Sequence, residues 1–255
     1  MGQVVWQSGE AYEAYVGRWS RRVAETFVSW LDVPAGRRWL DVGCGTGALT
    51  ARIRTTAAPR EVVGVDRSTG FLASARTEGV PLCAGDAAAL PLANDTFDVV
   101  VSGLALNFVG DPPSAVHEFA RVAAPGGTVA AYVWDYADGM EMMQHFWTAA
   151  LELDPAVIRG DSFPICHEDA LANAWTAAGL RDVTTRRIEI PTVFAGFDDY
   201  WQPFLGGQGP APSYVATRPE PDREALRSLL QSRLPIAPDG SIPLTAAAWA
   251  VRGTP

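Results

Sequence analysis

Three glycines alternate with small residues at Gly43, Cys44, Gly45, Thr46 and Gly47, directly after the largely apolar run Trp39-Leu40-Asp41-Val42. Glycine tolerates positive φ and lets backbone approach a ligand closely. A strand that runs into such a turn and then into a helix places a ligand at the strand's carboxyl end, beside a helix N-terminus. The chemistry on offer is therefore the holding of a cofactor. The spacing G-x-G-x-G differs from the dinucleotide fingerprint, whose third glycine comes one residue later, although Ala48 leaves a loose G-x-G-x-x-A match. A phosphate loop needs a lysine, and all 20 basic residues of this chain are arginine.

Other reactive side chains are few. Asp66 and Asp86 each close an apolar segment, where a carboxylate can accept hydrogen bonds from hydroxyl or amino groups. Asp66 also reads as a helix cap, because Ser68 and Thr69 follow, and Asp86 as a turn residue. Asn107 lies just past an apolar strand, placed to touch a substrate or to cap a turn. Among His117, His145 and His167, His145 is the preferred general base, since it lies beside Gln144 and Trp147 in a region beyond the main alternation. Cys44, Cys83 and Cys166 are widely spaced without a C-x-x-C, so neither a disulfide framework nor a zinc site is expected. No metal site is expected.

The elements that must position these groups alternate. Arg38 to Val42 reads as a strand, Ala48 to Thr55 as a helix, Glu61 to Val65 as a strand, and Thr69 to Arg76 as a helix. Val80 to Ala84 and Phe97 to Ser102 read as further strands, the latter with the run Val99-Val100-Val101 that suits burial on both faces. A helix over Pro113 to Ala123 is expected to stop at Pro125-Gly126-Gly127, and Thr128 to Trp134 to form a fifth strand. This rhythm predicts an α/β, doubly wound, mostly parallel sheet. Two helical stretches precede it over residues 8–31. After Trp134, residues 136–179 read as helical, Arg181 to Val193 as a strand, Arg223 to Gln231 as a helix and Ile242 to Val251 as a last strand. Residues 206–221 are rich in Gly and Pro and read as a linker or an ordered loop.

Composition narrows the function classes. The chain has 255 residues, 48% apolar and 19% charged, enough for one sizeable domain. A net charge of −9 argues against a partner with a phosphate backbone and favours a small molecule. No apolar run approaches the roughly 18–20 residues of a membrane helix. The N-terminal residues lack a basic segment followed by an apolar one, so cytoplasmic residence without membrane association is expected.

The segments Asp41-Val42-Gly43-Cys44-Gly45-Thr46-Gly47, Val63-Gly64-Val65-Asp66, Gly85-Asp86-Ala87 with Leu90-Pro91-Leu92 and Phe97-Asp98, and Arg121 to Gly127 occur in order. Together they resemble the successive motifs of the class I S-adenosylmethionine-dependent methyltransferases over residues 38–134. The nearest branch is the ubiquinone/menaquinone-biosynthesis type. The resemblance implies a seven-stranded Rossmann-like sheet with helices on both faces and a helical or loop lid. One domain is implied: an N-terminal helical lid (1–33), a cofactor core (36–135), a helical insertion (136–180) and C-terminal strands (181–255) carrying a substrate-side insertion (195–240).

The resemblance also assigns roles. Gly43, Cys44, Gly45, Thr46 and Gly47 would cradle the methionine part of S-adenosylmethionine. Asp41 would lie near its amino group or hold the loop. Asp66, with Arg67 beside it, would take the ribose hydroxyls. Asp86 and Ala87 would meet the adenine, and Ser102 would flank the sulfonium. Arg18 would pair with the cofactor carboxylate or lie on a solvated face. Tyr12, Tyr15, Trp134, Trp201 and Gln208 would line the acceptor's side, with His145 and Asn107 as catalytic candidates. Trp19, Phe194, Tyr200 and Phe204 would join those rings, or the aromatics would form a second small core. No Asn/Asp-Pro-Pro-Tyr/Phe follows strand four, which disfavours DNA adenine or glutamine methylation. The expected reaction is methyl transfer to O, N or C of a small molecule, by a monomer or homodimer. The alternatives are a cofactor-retaining protein without methyl transfer and an NAD-dependent oxidoreductase.

Overall fold

Five short segments rich in branched apolar residues form the parallel part of one sheet: β1 (Arg38–Val42), β2 (Glu61–Asp66), β3 (Leu82–Ala84), β4 (Phe97–Gly103) and β5 (Ala123–Trp134). The computed structural model describes residues 17–75, 77, 79–207 and 209–255. Two later strands, β6 (Arg181–Phe194) and β7 (Ile242–Thr254), complete a sheet of order β3-β2-β1-β4-β5-β7-β6. Neighbours from β3 to β5 pair in parallel, and β7 pairs antiparallel with β5. The seven-stranded, mostly parallel sheet is thus the one the alternation and the resemblance imply.

Helices α1 (Arg18–Leu31), α2 (Ala48–Thr56), α3 (Thr69–Ser74) and α4 (Pro112–Val122) accompany the parallel strands. The apolar face of α1 is buried through Val23, Ala24, Phe27, Val28 and Leu31. Phe27 meets Tyr132 of β5 at 4.6 Å between ring centroids. Arg252 closes the C-terminal end of α1, donating from Nη1 to the carbonyls of Trp30 at 3.2 Å and Leu31 at 3.4 Å. A cation there answers the helix's exposed carbonyl dipoles. Asp111 caps α4 by accepting from the Ser114 amide at 3.1 Å.

Beyond β5 follow α5 (Glu141–Leu153), α6 (Glu168–Ala177), α7 (Phe197–Trp201), α8 (Pro210–Ala216) and α9 (Glu220–Arg233). The chain divides into two compact units. The sheet unit is Ser20–Trp134, Pro164–Ile188 and Ala248–Pro255; the other is the described part of Met1–Trp19 with Asp135–Phe163 and Glu189–Ala247. Helix α6 therefore belongs with the sheet, packing on α4, where Trp175 Nε1 donates to the Val129 carbonyl of β5 at 2.9 Å.

In the other unit the aromatics gather as a core. Phe146 and Phe204 stack at 4.5 Å, and Tyr200 Oη donates to the Met142 carbonyl at 2.9 Å. Trp147 Nε1 donates to Asp161 Oδ2 at 2.7 Å, and Arg159 Nε reaches the other oxygen of that buried carboxylate at 3.1 Å. Helix α8 lies in the Gly/Pro-rich stretch 206–221, which is thus partly regular: Pro210 stands in its first turn, where a missing N–H costs nothing.

One boundary differs from expectation. Helix α4 ends at Val122 and β5 begins at once, at Ala123. Ala123 pairs with Phe97, the register then shifts, and Thr128 pairs with Val99. Pro125-Gly126-Gly127 therefore lies within an irregular stretch of the strand rather than between helix and strand.

Candidate functional site

The turn after β1 is tied down on its β2 side. The amides of Gly43 and Cys44 both donate to the Val65 carbonyl, at 2.7 and 3.1 Å. The Gly47 amide donates to the Cys44 carbonyl at 2.8 Å, and α2 starts at the next residue. A Cβ would collide at two of these positions. Gly43 has φ +74°, and a Cβ there would lie 2.4 Å from Ala105 Cβ; Gly47 has φ +90°, and a Cβ would lie 2.3 Å from Thr77 Cγ2. Gly45 is also left-handed, at φ +53°, but apart from its chain neighbours no atom lies within 4 Å of where its Cβ would be. The middle of the turn is the open part, which is the shape a cradle needs.

Asp66 ends β2 and grips the turn. Its Oδ2 accepts from the Gly45 amide at 2.9 Å and its Oδ1 from the Ser68 amide at 2.8 Å. Each carboxylate oxygen has two acceptor sites, so both keep capacity for further donors. The helix cap of α3 is Ser68, whose Oγ accepts from the Phe71 amide at 3.2 Å; Asp66 is free of that duty.

Asp41, at the heart of β1, is fully buried. Its Oδ2 accepts from the Thr50 hydroxyl at 2.6 Å. Its Oδ1 is enclosed and has no hydrogen-bond partner. Burial, helped by the Asp66 charge, pushes Asp41 up to about 7. Burial and both carboxylates push the Cys44 thiol well up, so it stays neutral. Ser102, at the end of β4, is buried, with Oγ 4.0 Å from the position of a Cβ on Gly43.

Asp86 is exposed, and its Oδ1 accepts from the Ala88 amide at 2.9 Å. That is a turn residue's work, and Ala87 lies inside the same turn. The Gly85 amide donates to the Asp66 carbonyl at 3.1 Å, which ties this turn to β2. Arg67 is exposed, and Thr46 is half-buried in the turn.

Asn107 lies in a single 3-10 turn (Leu106–Phe108) that packs on β5. It is buried, and its Nδ2 has no partner. Trp134, the last residue of β5, is buried with its Nε1 likewise unpartnered. Sequence reasoning chose both residues by position; their unmet donors appear only in the structure.

The remaining candidates lie elsewhere. Arg18, His145 and Trp201 belong to the other unit. Arg18 Nη1 donates to Asp199 Oδ1 at 2.7 Å, and its guanidinium stands 4.6 Å from the Trp19 ring and 4.7 Å from that of Phe194. Its charge is thus answered by a carboxylate of its own unit, while its Nε and Nη2 are buried without a hydrogen-bond partner. Trp201 is buried and packs on Phe197 and Phe204. His145 is half-buried, and burial holds its imidazole below the ordinary value, so it is neutral at pH 7. Tyr12, Tyr15 and Gln208 lie outside the described residues. Among the described residues no cluster of His, Cys, Asp or Glu could hold a metal ion, and no helix is long and apolar enough to cross a membrane.

Comparison with known proteins agrees with this geometry. The methyltransferase-domain family matches residues 40–131. The demethylmenaquinone methyltransferase of Shouchella clausii is 37% identical over 178 residues, covering 61% of this chain and 75% of that protein. That of Corynebacterium kroppenstedtii is 41% identical over 97 residues, covering 38% of this chain and 42% of that protein. The chain spans only about half, or less, of the length of the curated relatives it matches most strongly. Among solved structures, the YcgJ protein of Bacillus subtilis shares the fold with a TM-score of 0.58 at 19% identity, covering 93% of this chain and 98% of that one. The cradle between β1 and α2, the sheet order and the extended match to the Shouchella protein lead to one conclusion: the chain belongs to the class I S-adenosylmethionine-dependent methyltransferases, in the quinone-biosynthesis branch.

Proposed function

We propose that this chain transfers a methyl group from S-adenosylmethionine to a small-molecule acceptor, and that the acceptor is an aromatic ring of the quinol type. The observation that carries the cofactor half is the open turn at Gly45, gripped by Asp66, with an unmet oxygen on Asp41 of the strand that leads into it. These groups fit the cofactor. Asp66 has acceptor capacity for ribose hydroxyls, and Asp41 Oδ1 lacks the donor that an amino group would bring. Asp86 and Ala87 would meet the adenine from their turn, and Ser102 would stand near the transferring end.

When bound, S-adenosylmethionine supplies an electrophilic methyl group on a good leaving group, so the protein's main task is alignment. The turn, whose own amides anchor it to β2 and to Asp66, would present a fixed surface to one partner. Asn107 Nδ2 and Trp134 Nε1 are buried donors that would orient an acceptor oxygen beside the carbon to be methylated. The relatives named demethylmenaquinone methyltransferase support the quinol class.

The test uses calorimetry and label transfer. S-adenosylhomocysteine is expected to bind and NAD is not. Methyl-labelled S-adenosylmethionine is expected to label a chemically reduced 2-substituted naphthoquinone. Binding of NAD in place of S-adenosylhomocysteine overturns the cofactor assignment. Cofactor binding with no label in any reduced quinone overturns the acceptor class.

A further inference from the structure

Between β3 and β4 the chain runs from Gly85 to Thr96 without a helix or a strand. Such a stretch keeps one shape only where other groups tie it down. Two residues of α4, Glu118 and Arg121, do so. Every N–H of the Arg121 guanidinium finds an acceptor. Its Nε and Nη2 grip the two oxygens of Glu118, each at 2.6 Å. Nη1 reaches the Leu92 carbonyl at 2.8 Å and the Asn94 side-chain oxygen at 2.7 Å, and Nη2 also reaches the Leu90 carbonyl at 3.1 Å. Glu118 Oε2 accepts from the Leu90 amide at 2.7 Å. Leu90 is thus held through both its backbone groups, and its side chain is buried. From this anchor the restraint runs back to Asp86. The Ala89 amide donates to the Asp86 carbonyl at 3.0 Å, and a Cβ on Gly85 would lie 2.8 Å from Pro91 Cδ. The segment therefore closes on itself and leaves Asp86 exposed. The side chains of Arg121 and Glu118 are 31% and 19% exposed, and an ion pair in that setting contributes little to stability by itself. Its consequence lies in the loop it holds.

We propose that Glu118 and Arg121 are positioning residues for the cofactor's base: by fixing Leu90 they set where Asp86 meets the 6-amino group of adenine, and so set the preference for that base. The inference rests on the reading that Asp86 and Ala87 meet the adenine. Asp86 Oδ1 accepts from the Ala88 amide, and the carboxylate keeps acceptor capacity for an amino group. A 6-oxo base would bring an oxygen to the same place, which the carboxylate repels. Hydrogen bonds hold only within a narrow range of distance and angle, so a small drift of the turn erases this discrimination. The planar fork of Arg121 is what prevents the drift. A lysine offers three donors on one nitrogen and cannot span Glu118, Leu90, Leu92 and Asn94 together. Leu90-Pro91-Leu92 and Arg121, which belong to separate motifs of the sequence, thereby share one task.

Titration calorimetry with the full chain tests this. The probes are S-adenosylhomocysteine and S-inosylhomocysteine, which carries a 6-oxo group in place of the 6-amino group. The unaltered chain is expected to prefer the first by about 10- to 150-fold, the range for a hydrogen bond to a charged group. In Arg121→Lys the preference is expected to fall to about threefold or less, through weaker binding of S-adenosylhomocysteine alone. Asp86→Ala is expected to lose the preference as well, and Arg121→Lys added to it is expected to change the ratio no further. Glu118→Gln keeps an acceptor for the Leu90 amide but not the charged pair, and is expected to show an intermediate preference; it decides the matter if Arg121→Lys does not fold. Equal weakening of both ligands, with the preference retained, makes the pair a brace without influence on the base and overturns the inference. A further change of the ratio in the Asp86→Ala background routes the effect through another group and also overturns it. An unaltered chain without any preference removes Asp86 from the base and overturns the inference, while methyl transfer stands. Failure of S-adenosylhomocysteine to bind overturns the proposed function, and this inference with it.

Discussion

A single methyl group added at Gly43 tests whether the turn is seated as described. The residue has φ +74°, so an alanine there would be held in the left-handed region, at about 1–2 kcal/mol. Its Cβ would also lie 2.4 Å from Ala105 Cβ, whereas carbon atoms rest at about 3.5–4.0 Å. The two must part by more than about 1 Å. Gly43 cannot easily yield, because its amide is bonded to the Val65 carbonyl at 2.7 Å. Ala105 immediately precedes the 3-10 turn that carries Asn107, so that turn would be displaced. Overpacking of this kind costs about 1–3 kcal/mol. Gly43→Ala should therefore destabilise by about 2–5 kcal/mol in all. Ala105→Gly made in the same chain removes the offending atom and leaves φ unrelieved. The double variant should regain the overpacking part, less about 0.5–1 kcal/mol for the added backbone freedom. Urea midpoints for the four proteins of the cycle give the coupling energy, expected at about 1–3 kcal/mol in the direction of rescue. A cost for Gly43→Ala below about 1 kcal/mol, or no rescue by Ala105→Gly, would show that the turn does not press on residue 105.

Two further predictions concern the carboxylates. Asp66→Ala removes the acceptor of two loop amides and of the proposed ribose contact, so S-adenosylhomocysteine affinity should fall by about 1.5–3 kcal/mol, roughly 10- to 150-fold; an unchanged affinity by calorimetry removes Asp66 from the site. Asp41, raised from 3.8 to about 7 in the fold, favours folding while it is protonated, and that stability is lost as pH rises from about 4 to about 7. Relative to the unaltered ligand-free chain, Asp41→Asn should gain up to about 1.4 kcal/mol per pH unit across that window and nothing more above it. Melting curves for both proteins between pH 4.5 and 8 measure the difference, and parallel curves refute the assignment.

Much of the fold was legible because its elements repeat a local grammar. β4 reads as a strand buried on both faces from Val99-Val100-Val101, and its burial follows suit. β1 and β2 are found within a residue of their expected ends. What the grammar misses depends on partners far along the chain. The start of β5 at Ala123 is set by its pairing with Phe97, and no signal at Pro125-Gly126-Gly127 reveals that shift. Helix α8 forms in a stretch whose Gly and Pro content reads as loop, because Pro210 at its start costs the helix no bond. Placement of α6 against α4, with its Trp175 bonded to β5, is likewise invisible to periodicity.

The same distinction divides the candidate site. Its cofactor half rests on demands made by the backbone within a few residues. Gly43 and Gly47 must be glycine because of φ and close neighbours, Asp66 must be acidic to take the Gly45 amide, and such needs leave a fixed spacing in the sequence. The acceptor half has no such rule. Asn107 and Trp134 are separated by a helix and a strand, and what marks them is the absence of a partner for a buried donor. That property belongs to the packed state and leaves no pattern in the chain. Trp201 shows the converse. Its residue type suggested a ligand contact, yet it fills an aromatic core. A buried group that packing has satisfied says little about a ligand, whereas one that packing has left unmet points to what is missing. By that criterion Asp41 is informative among the described residues. Its buried Oδ1 calls for a donor, and the Asp66 charge nearby favours a cation as that donor.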